Sequence, residues 1–543
     1  MDKSETKMEK KEPTKVEATK VATIDEALEK THFGKFNTQI IVFSGAVLNN
    51  VILESVGMSF ALPVVSCDLD LSYQEQGILG AICFLGIIIS SHFWGLLADT
   101  MGRKRIMQPT LFLGFAVTLI SSFSVNFTMM VILRFLNGIF ISGSSATIYA
   151  YVGEFHCEKH RNRAVLYGSF IAAFSAIFFP LIAWVFINQE WQFEVPLLGI
   201  TYRPWRLFFI VCGLSGLVCG IIFHYLPESP KYLLGANRHD EALDVLRYMH
   251  KKNTQSNKKL QNESFEITTL LPDLADVPAV DTQTKTNDKK SLTSICRVIW
   301  NQTAPLFMSQ HIRKTVLSSA ILFTTFFTAH GVYMWFPYIL NNINLYVAKY
   351  DEPKRLCDIL RFAQSSNFTL DGDAEFPVAE KICVTKLEID TYKHTLSLEF
   401  IYVGLLLLVI YANRRFNRIP ILFIVLTVCG LCGILSLLVE DPMVSIYLFL
   451  IMLCSGLGTN VMNAIVVDIF PTSLRAMAVC ISLMVGRIGS VTGSNVLGAL
   501  IETHCEEALY SSSIALVVAA ILALLMPKAA SEKKKKINVE EAN

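Results

Sequence analysis

The stretch Gly95-Leu-Leu-Ala-Asp99-Thr-Met-Gly102-Arg103-Lys104-Arg105 sits between two apolar runs of membrane-spanning length. It packs three cations, one carboxylate and two glycines into eleven residues. So short a connection demands a tight turn, and Gly102 can supply the positive φ that such turns often need. Arg103, Lys104 and Arg105 immediately flank the next run, a placement that marks the cytoplasmic side of a membrane helix. The orientation of the remaining spans follows from this loop.

The 543 residues are 52% hydrophobic and 17% charged, with a mean hydropathy of +0.45. A soluble chain of this length carries about a quarter charged residues. The deficit, with many apolar runs of roughly 20 residues, indicates an all-α, polytopic membrane protein. The first 38 residues are rich in Lys and Glu and lack an apolar core, so no cleavable signal peptide is expected and the first span serves as insertion signal. No Walker motif, zinc spacing or nucleophile constellation occurs. Neither an enzyme nor a nucleic-acid binder is indicated, and no cofactor or metal is expected. Cys429 and Cys432 form a CxxC inside an apolar helix, which reads as packing.

Twelve spans are expected: 39–63, 75–97, 106–124, 128–151, 164–187, 206–226, 315–340, 395–412, 419–439, 443–468, 475–500 and 508–527. Basic loops at Arg103–Arg105, Lys159–Arg163, Arg414/Arg415/Arg418 and Lys533–Lys536 alternate with acidic ones at Asp68/Asp70, Glu440/Asp441 and Glu502/Glu506/Glu507. The pattern puts both termini in the cytoplasm. Residues 1–38 read as a mobile charged tail, and 528–543 as a second tail. Residues 227–314 form a cytoplasmic linker, amphipathic through Ala242, Leu243, Leu246 and Met249, polar over 251–290, and amphipathic again near 292–311. Cytosolic partners would find room on the N-terminal tail and this linker.

The loop 341–394 lies on the opposite side. It carries the glycosylation acceptor Asn367-Phe-Thr369. Asn126-Phe-Thr128 also matches but abuts two spans. Cys357 and Cys383 share the large loop in an oxidising compartment, so a disulfide between them is expected, with Cys67 and Cys505 as other possible partners.

The two halves, 39–226 and 315–527, share punctuation. Span 4 ends in Glu154 with Arg161 seven residues on, and span 10 ends in Asp468 with Arg475 seven residues on. The repeated spacing predicts an acid–arginine pair at each matched rim and a duplicated architecture. The second copy of the opening loop, Asn413-Arg-Arg-Phe-Asn-Arg418, keeps cations but lacks the acid and the glycine.

An ionisable side chain at mid-bilayer depth costs several kcal/mol unless partnered, so it is a functional candidate. Glu54 lies deep in span 1, one turn from Asn50. Arg134 begins a polar stripe on span 4, and Arg487 is central in span 11. His330 in span 7 precedes Tyr333, Trp335 and the kink expected at Pro337, and Asn460 and Asn463 share a face of span 10. One reading makes Asn50, Glu54, Arg134, Tyr333, Trp335, Asn460, Asn463 and Arg487 the lining of a central solute and coupling cavity. The other makes the charges buried ion pairs, for instance Glu54 with an arginine, that hold spans together.

The spacing Gly-x3-Asp-x2-Gly-Arg-Lys-Arg resembles the signature loop between spans 2 and 3 of the major facilitator superfamily. Arg134-x3-Gly138, Gly153-Glu154 followed by Arg161, Pro227-Glu-Ser-Pro230 and Pro471-Thr-Ser-Leu-Arg475 are similar to its organic-ion and sugar-porter branch. Trp205-Arg-Leu-Phe, Pro227-Glu-Ser-Pro-Lys-Tyr-Leu-Leu234, Asn237-Arg-His-Asp-Glu-Ala242 and Tyr333-Met-Trp-Phe-Pro337 look most like synaptic vesicle glycoprotein 2 and its relatives.

The resemblance implies two pseudo-symmetric six-helix bundles rocking about a central site. Gly95, Asp99, Gly102, Arg103 and Arg105 would gate the cytoplasmic side, with Glu154/Arg161 and Asp468/Arg475 as rim pairs. The large loop is shorter than the folded luminal domain of the vertebrate vesicle proteins. Span 10 has Thr459-Asn-Val-Met-Asn463 where Trp-Asn-Ala-Leu-Asp is expected. Two functions follow. The first is a gradient-driven carrier of a small organic solute, with a coupled proton or other ion; Glu54 suggests a cationic solute. The second is a non-transporting vesicle-protein-like component acting in trafficking or partner binding. Either lies in the plasma membrane or a vesicle membrane.

Overall fold

The computed structural model describes residues 21–196, 199–255, 264–271, 303–350, 352–364 and 386–527. Among the described residues, eleven helices are long and apolar enough to cross a membrane. These are Lys35–Asp68 (span 1), Tyr73–Met101 (span 2), Phe127–Glu154 (span 4), Glu158–Ile187 (span 5), Pro204–His224 (span 6), Ile312–Lys349 (span 7), Ile389–Arg415 (span 8), Arg418–Leu438 (span 9), Pro442–Ile469 (span 10), Met477–Leu500 (span 11) and Cys505–Leu524 (span 12). The remaining one, Arg103–Ser121 (span 3), opens with three cations and contains Pro109, which lower its apolarity. It nevertheless packs against spans 4 and 6 inside the first bundle.

Local chemistry sets the helix ends. Ser72 caps span 2 in a reciprocal box with Glu75. Asp441 accepts from the N–H groups of Met443 and Val444 at the start of span 10. Asn126 accepts from Met129 N–H at 2.9 Å, so that side chain serves as a cap on span 4. Span 1 breaks at Gly57. Span 7 loses regular helical pitch over Phe327–Trp335 before resuming at Phe336 with Pro337 in its first turn. The irregular segment carries His330 and Tyr333 at mid-span.

The described part of the N-terminal tail differs from the expectation. Val21–Thr23 pairs in parallel with Thr269–Leu271 of the linker. Ile24–Lys30 follows as a helix whose Thr23–Glu26 box caps it. Ile24, Ala27 and Leu28 are buried in one apolar cluster with Leu243, Leu246 and Met249 of the linker helix His239–Thr254. Apolar residues at helical spacing explain why this short segment orders where a wholly polar tail would not. Asn253 ties the linker helix to the start of span 1, accepting from Phe36 N–H at 2.9 Å and donating to Asn37 at 2.9 Å. This cap therefore rides on the first bundle. Asn367, Cys383, Lys533–Lys536 and most of 251–302 lie outside the described residues.

The disulfide is also different. Cys357 of the helix Leu356–Gln364 is bonded to Cys505 at the start of span 12, 148 residues away. Sharing a loop with Cys383 did not decide the partner, because Leu356–Gln364 is buried along its apolar face against the bundle end where span 12 begins.

The halves join on one side only. We call the side of Arg103–Arg105 the basic face and the opposite side the far face. At the far face the Tyr73 and Tyr338 hydroxyls lie 3.0 Å apart. Asn188 accepts from the Tyr392 hydroxyl at 2.9 Å and donates to Leu387 O at 2.8 Å. Lys386 pairs with Glu190, and that hydrogen bond and charge hold the Glu190 carboxyl below the usual carboxylate range. Span 11 meets span 2 where Ser494 donates to Gly77 O at 3.1 Å. A Cβ on Gly498 would stand 3.1 Å from Gly77 Cα, so the two backbones touch. Between described residues, every hydrogen bond linking the halves lies from the Arg487–Ser91 contact outward to the far face. On the basic side of the Arg487–Ser91 contact no hydrogen bond between described residues joins the bundles, and we call the interval between them there the gap.

Candidate functional site

At the basic face, span 2 ends at Gly102, whose φ of +105° only glycine adopts freely. The turn aims Arg103 back into the first bundle. Its guanidinium lies 2.9 Å from Asp99 and 2.8 Å from Glu154. Arg103 and Glu154 are 12% and 16% exposed, whereas Asp99 is 69% exposed. Glu228, from the Pro227–Pro230 motif, accepts from the N–H groups of Arg103 and Lys104 at 3.0 and 3.1 Å. A carboxylate there satisfies orphan donors at the start of span 3 and complements its dipole. Lys104 donates to the carbonyls of His224 and Leu226. The linker is thus bolted to the signature turn.

Neither expected rim pair, Glu154 with Arg161 or Asp468 with Arg475, forms; each acid takes a different arginine. Glu154 takes Arg103, while Arg161 turns to Asp25 of the N-terminal helix at 3.4 Å. Asp468 takes Arg418 at 2.6 Å, and among the described residues Arg475 has no carboxylate partner. The pseudo-symmetry is preserved in a different register: each acid closing span 4 or span 10 binds the arginine of the preceding loop, Arg103 or Arg418. The second pair is 36% and 37% exposed, hence more solvated than the first. Gly95 has open space around it and Arg105 has no ion-pair partner among the described residues; neither belongs to the latch itself.

Inside the first bundle, Glu54 forms an ion pair with Arg134 at 3.4 Å, both side chains 2% exposed. Thr118 donates to both Glu54 oxygens at 2.9 and 2.8 Å, and Asn137 donates to Thr118 Oγ1 at 2.7 Å. The Arg134 guanidinium covers the Phe209 ring at 3.8 Å. One turn away, Asn50 accepts from Ser215 at 2.7 Å. Spans 1, 3, 4 and 6 thereby share one sealed polar core. The geometry is that of the ion pair, with Glu54, Arg134 and Asn50 turned into their own bundle. A parallel cluster near the far face joins Arg206 and Arg203 to Asp68 at 3.0 and 3.2 Å, with Trp205 donating to the same carboxylate at 3.1 Å.

The remaining candidates fall in the second bundle and at its boundary with the first. Arg487 donates to Ser91 Oγ of span 2 at 3.0 Å, and the Tyr149 phenol of span 4 is an electrostatic neighbour. Tyr333 donates to Glu399 Oε1 at 3.3 Å. Glu399, an acid inside span 8, is buried. Tyr402, one turn on, lies beside Asn460. Asn463 is only partly exposed, with its Oδ1 buried and unpartnered. Trp335 is fully buried and donates to Ser494 O at 2.9 Å, so it packs spans 7 and 11 together and does not line the gap. Asn460, Arg487, Tyr333 and Tyr402 retain accessible surface. Glu399 escaped notice in the sequence because it follows Lys393 and His394 near the start of an apolar run and reads as a span edge.

A family description for the Major Facilitator Superfamily matches residues 42–351 and 392–543. Synaptic vesicle glycoprotein 2B of Mus musculus is 27% identical over 318 residues, covering 57% of this chain and 46% of that protein. Synaptic vesicle glycoprotein 2A of Rattus norvegicus is 25% identical over 324 residues, 58% of this chain and 43% of that protein. The match thus spans less than half the length of these curated relatives. Among solved structures, the inward open conformation of the xylose transporter XylE from E. coli superposes with a TM-score of 0.61 at 15% identity, over 91% of this chain and 97% of that one. A bacterial homologue of the human lysosomal transporter Spinster, in an inward-facing and occupied conformation, gives 0.56 at 10% identity, over 90% and 96%. At such identities the likeness is one of fold.

Proposed function

The chain belongs to the major facilitator superfamily, and we propose that it is a secondary carrier moving a small organic solute by alternating access. The one-sided closure carries this reading. The halves meet through hydroxyl, amide and backbone contacts at the far face, and the gap on the other side reaches Ser91 and Arg487 at mid-depth. Rocking about that line opens the far face only if the Tyr73–Tyr338 and Asn188–Tyr392 contacts part. The basic face is the cytoplasmic one, because its short loops concentrate Arg103–Arg105 and Arg414, Arg415 and Arg418.

Glu399 is the residue for the coupled proton or other ion. Its buried carboxyl has Tyr333 as its hydrogen-bond partner and no cation within ion-pair distance among the described residues. A carboxyl so placed can be neutralised by a proton or by a cation entering the gap. Glu54 is already neutralised by Arg134 and is not needed for this role. Uptake into proteoliposomes under an imposed proton gradient tests the proposal. Glu399→Gln should abolish gradient-driven accumulation while leaving solute exchange. No flux for any solute across a broad organic panel would overturn the carrier reading.

A second reading, a non-transporting membrane protein serving vesicle trafficking, draws on the synaptic vesicle glycoproteins 2A and 2B found as relatives. Its partners would bind the cap built from residues 21–30 and the linker helix. Sound ligand-free folding with no flux would favour it.

A further inference from the structure

Spans 7 and 10 are both irregular at mid-depth, and the irregular segments face each other. Span 7 leaves α-helical bonding over Phe327–Val332 and again over Tyr333–Trp335, and span 10 tightens over Cys454–Gly456. A Cβ on Gly456 would stand 3.4 Å from Ala329 Cβ and 3.7 Å from the Tyr402 hydroxyl, so the two segments meet each other and span 8. Glu399 sits at this junction. Its carboxyl accepts from the Tyr333 hydroxyl at 3.3 Å, and Tyr402 and Cys454 lie within reach of its charge. These three titratable neighbours are neutral at neutral pH, so none of them balances a carboxylate. Ser455 adds a second unmet demand. Its Oγ is fully buried without a hydrogen-bond partner, whereas Ser318 and Ser436 of the same bundle donate to a carbonyl one turn back. A sealed, unpaired hydroxyl is costly unless something arrives to pair with it.

Where one helical bonding pattern passes into another, carbonyls lose their regular N–H partner, and at mid-membrane depth such carbonyls can coordinate small ions. The oxygens gathered here are a carboxylate, a hydroxyl, two phenols and main-chain carbonyls, a set that suits a hard cation. One carboxylate balances one positive charge. Among the described residues no group of three or more His, Cys, Asp or Glu side chains could hold a metal ion, so a thiophilic or multiply charged metal does not fit. Glu399 and Ser455 are buried while Tyr333 and Tyr402 keep some surface, an arrangement that admits an ion and excludes an organic solute. We propose that Glu399, Ser455 and carbonyls of the irregular segment of span 7 bind one sodium ion, with Tyr333 and Tyr402 at its entrance. The inference rests on the carrier reading, within which it names the coupled ion, but sodium binding is measurable without transport.

The test uses the full chain purified in nanodiscs, with thermal shift and binding of radioactive sodium as readouts. Sodium chloride is titrated against choline chloride at constant ionic strength. Sodium should raise Tm saturably, with one ion bound per chain. Glu399→Gln should abolish that shift, and Ser455→Ala should weaken sodium affinity about tenfold. In choline, Ser455→Ala should unfold no earlier than the parent chain, because the hydroxyl it removes is unpaired; a purely structural serine would behave oppositely. If Glu399→Gln does not fold, the Ser455→Ala comparison still decides. Absence of sodium binding overturns the proposal, as does sodium binding unchanged in Ser455→Ala. Solute uptake driven by a proton gradient and indifferent to sodium overturns it while sparing the carrier, and makes the proton the coupled ion. Sodium binding that depends on Glu399 and Ser455, without flux of any solute, upholds the site and overturns the carrier.

Discussion

Arg103 lies 2.8 Å from Glu154, linking the turn after span 2 to the end of span 4. The same guanidinium holds Asp99, but that carboxylate is 69% exposed and solvent screens it. Glu154→Gln should therefore slow conformational exchange by about tenfold, and Asp99→Asn by less than about threefold. Arg418→Ala, which breaks the more solvated pair of the second bundle, should fall near the smaller value. Alkylation of a cysteine introduced at Gly95, in open space beside the latch, reads the exchange without requiring a known solute. Equal effects of all three changes would show that the latch is not graded by burial.

The Glu54–Arg134 pair is sealed inside one bundle, so its removal is a stability question. Arg134→Leu leaves a buried carboxylate facing only Thr118 and Asn137, which costs about 3–5 kcal/mol. The double change Glu54→Gln with Arg134→Leu should recover much of the loss. Thermal unfolding in detergent separates these outcomes. A double variant as unstable as the single one would argue against a pairwise origin.

Reduction should loosen the far face. The Cys357–Cys505 bond fastens the helix Leu356–Gln364 to span 12 across 148 residues, and removing such a link typically costs about 2–4 kcal/mol. Cys357→Ser and Cys505→Ser are expected to lower Tm by equal amounts, with no further fall when combined. Unequal losses would mean that one of the two cysteines has another essential contact.

His156 gives a pH dependence outside the spans. It is buried beneath Phe33, its Nδ1 bonded to Val152 O at 2.7 Å. Burial lowers its pKa below the ordinary value of 6.5. The folded state therefore binds the proton less readily than the unfolded one. Its stabilising contribution is complete above about pH 6.5 and shrinks as pH falls toward the depressed value. Hydrogen exchange of the segment 24–34 should quicken on acidification in this window, and His156→Asn should flatten the response.

Hydropathy and charge made the architecture legible. The spans were evident as apolar runs, and even span 3, diluted by its cations, stands where the loop Gly95–Arg105 requires it. Pairing was not legible. Counting from Glu154 to Arg161 assumes that neighbours in sequence meet in space. The chain instead turns after Phe155, and Arg161 reaches Asp25 while Arg103 arrives from another loop. Cys357 found Cys505 for the same reason, since a helix packed on the bundle end chooses its neighbour by position. Intramembrane charge singled out Arg134 and Arg487 alike, and only the folded structure distinguishes an arginine with a carboxylate from one without. Glu399 carried the same signal and was hidden by the charged residues just before it.

The backbone contact between Gly77 and Gly498 fixes how the two bundles can move. With no side chains interposed, the surfaces can roll past each other without any rotamer having to change, as a bearing turns without teeth. The hydroxyl and amide pairs around it then act as the detents that define where the motion stops. A methyl group at either glycine would wedge the bearing, since a Cβ on Gly77 would already stand 3.0 Å from Ser494 O and one on Gly498 2.8 Å from Tyr73 O. Such a wedge shifts the resting population away from the state closed at the far face, and does so from a place no solute needs to touch.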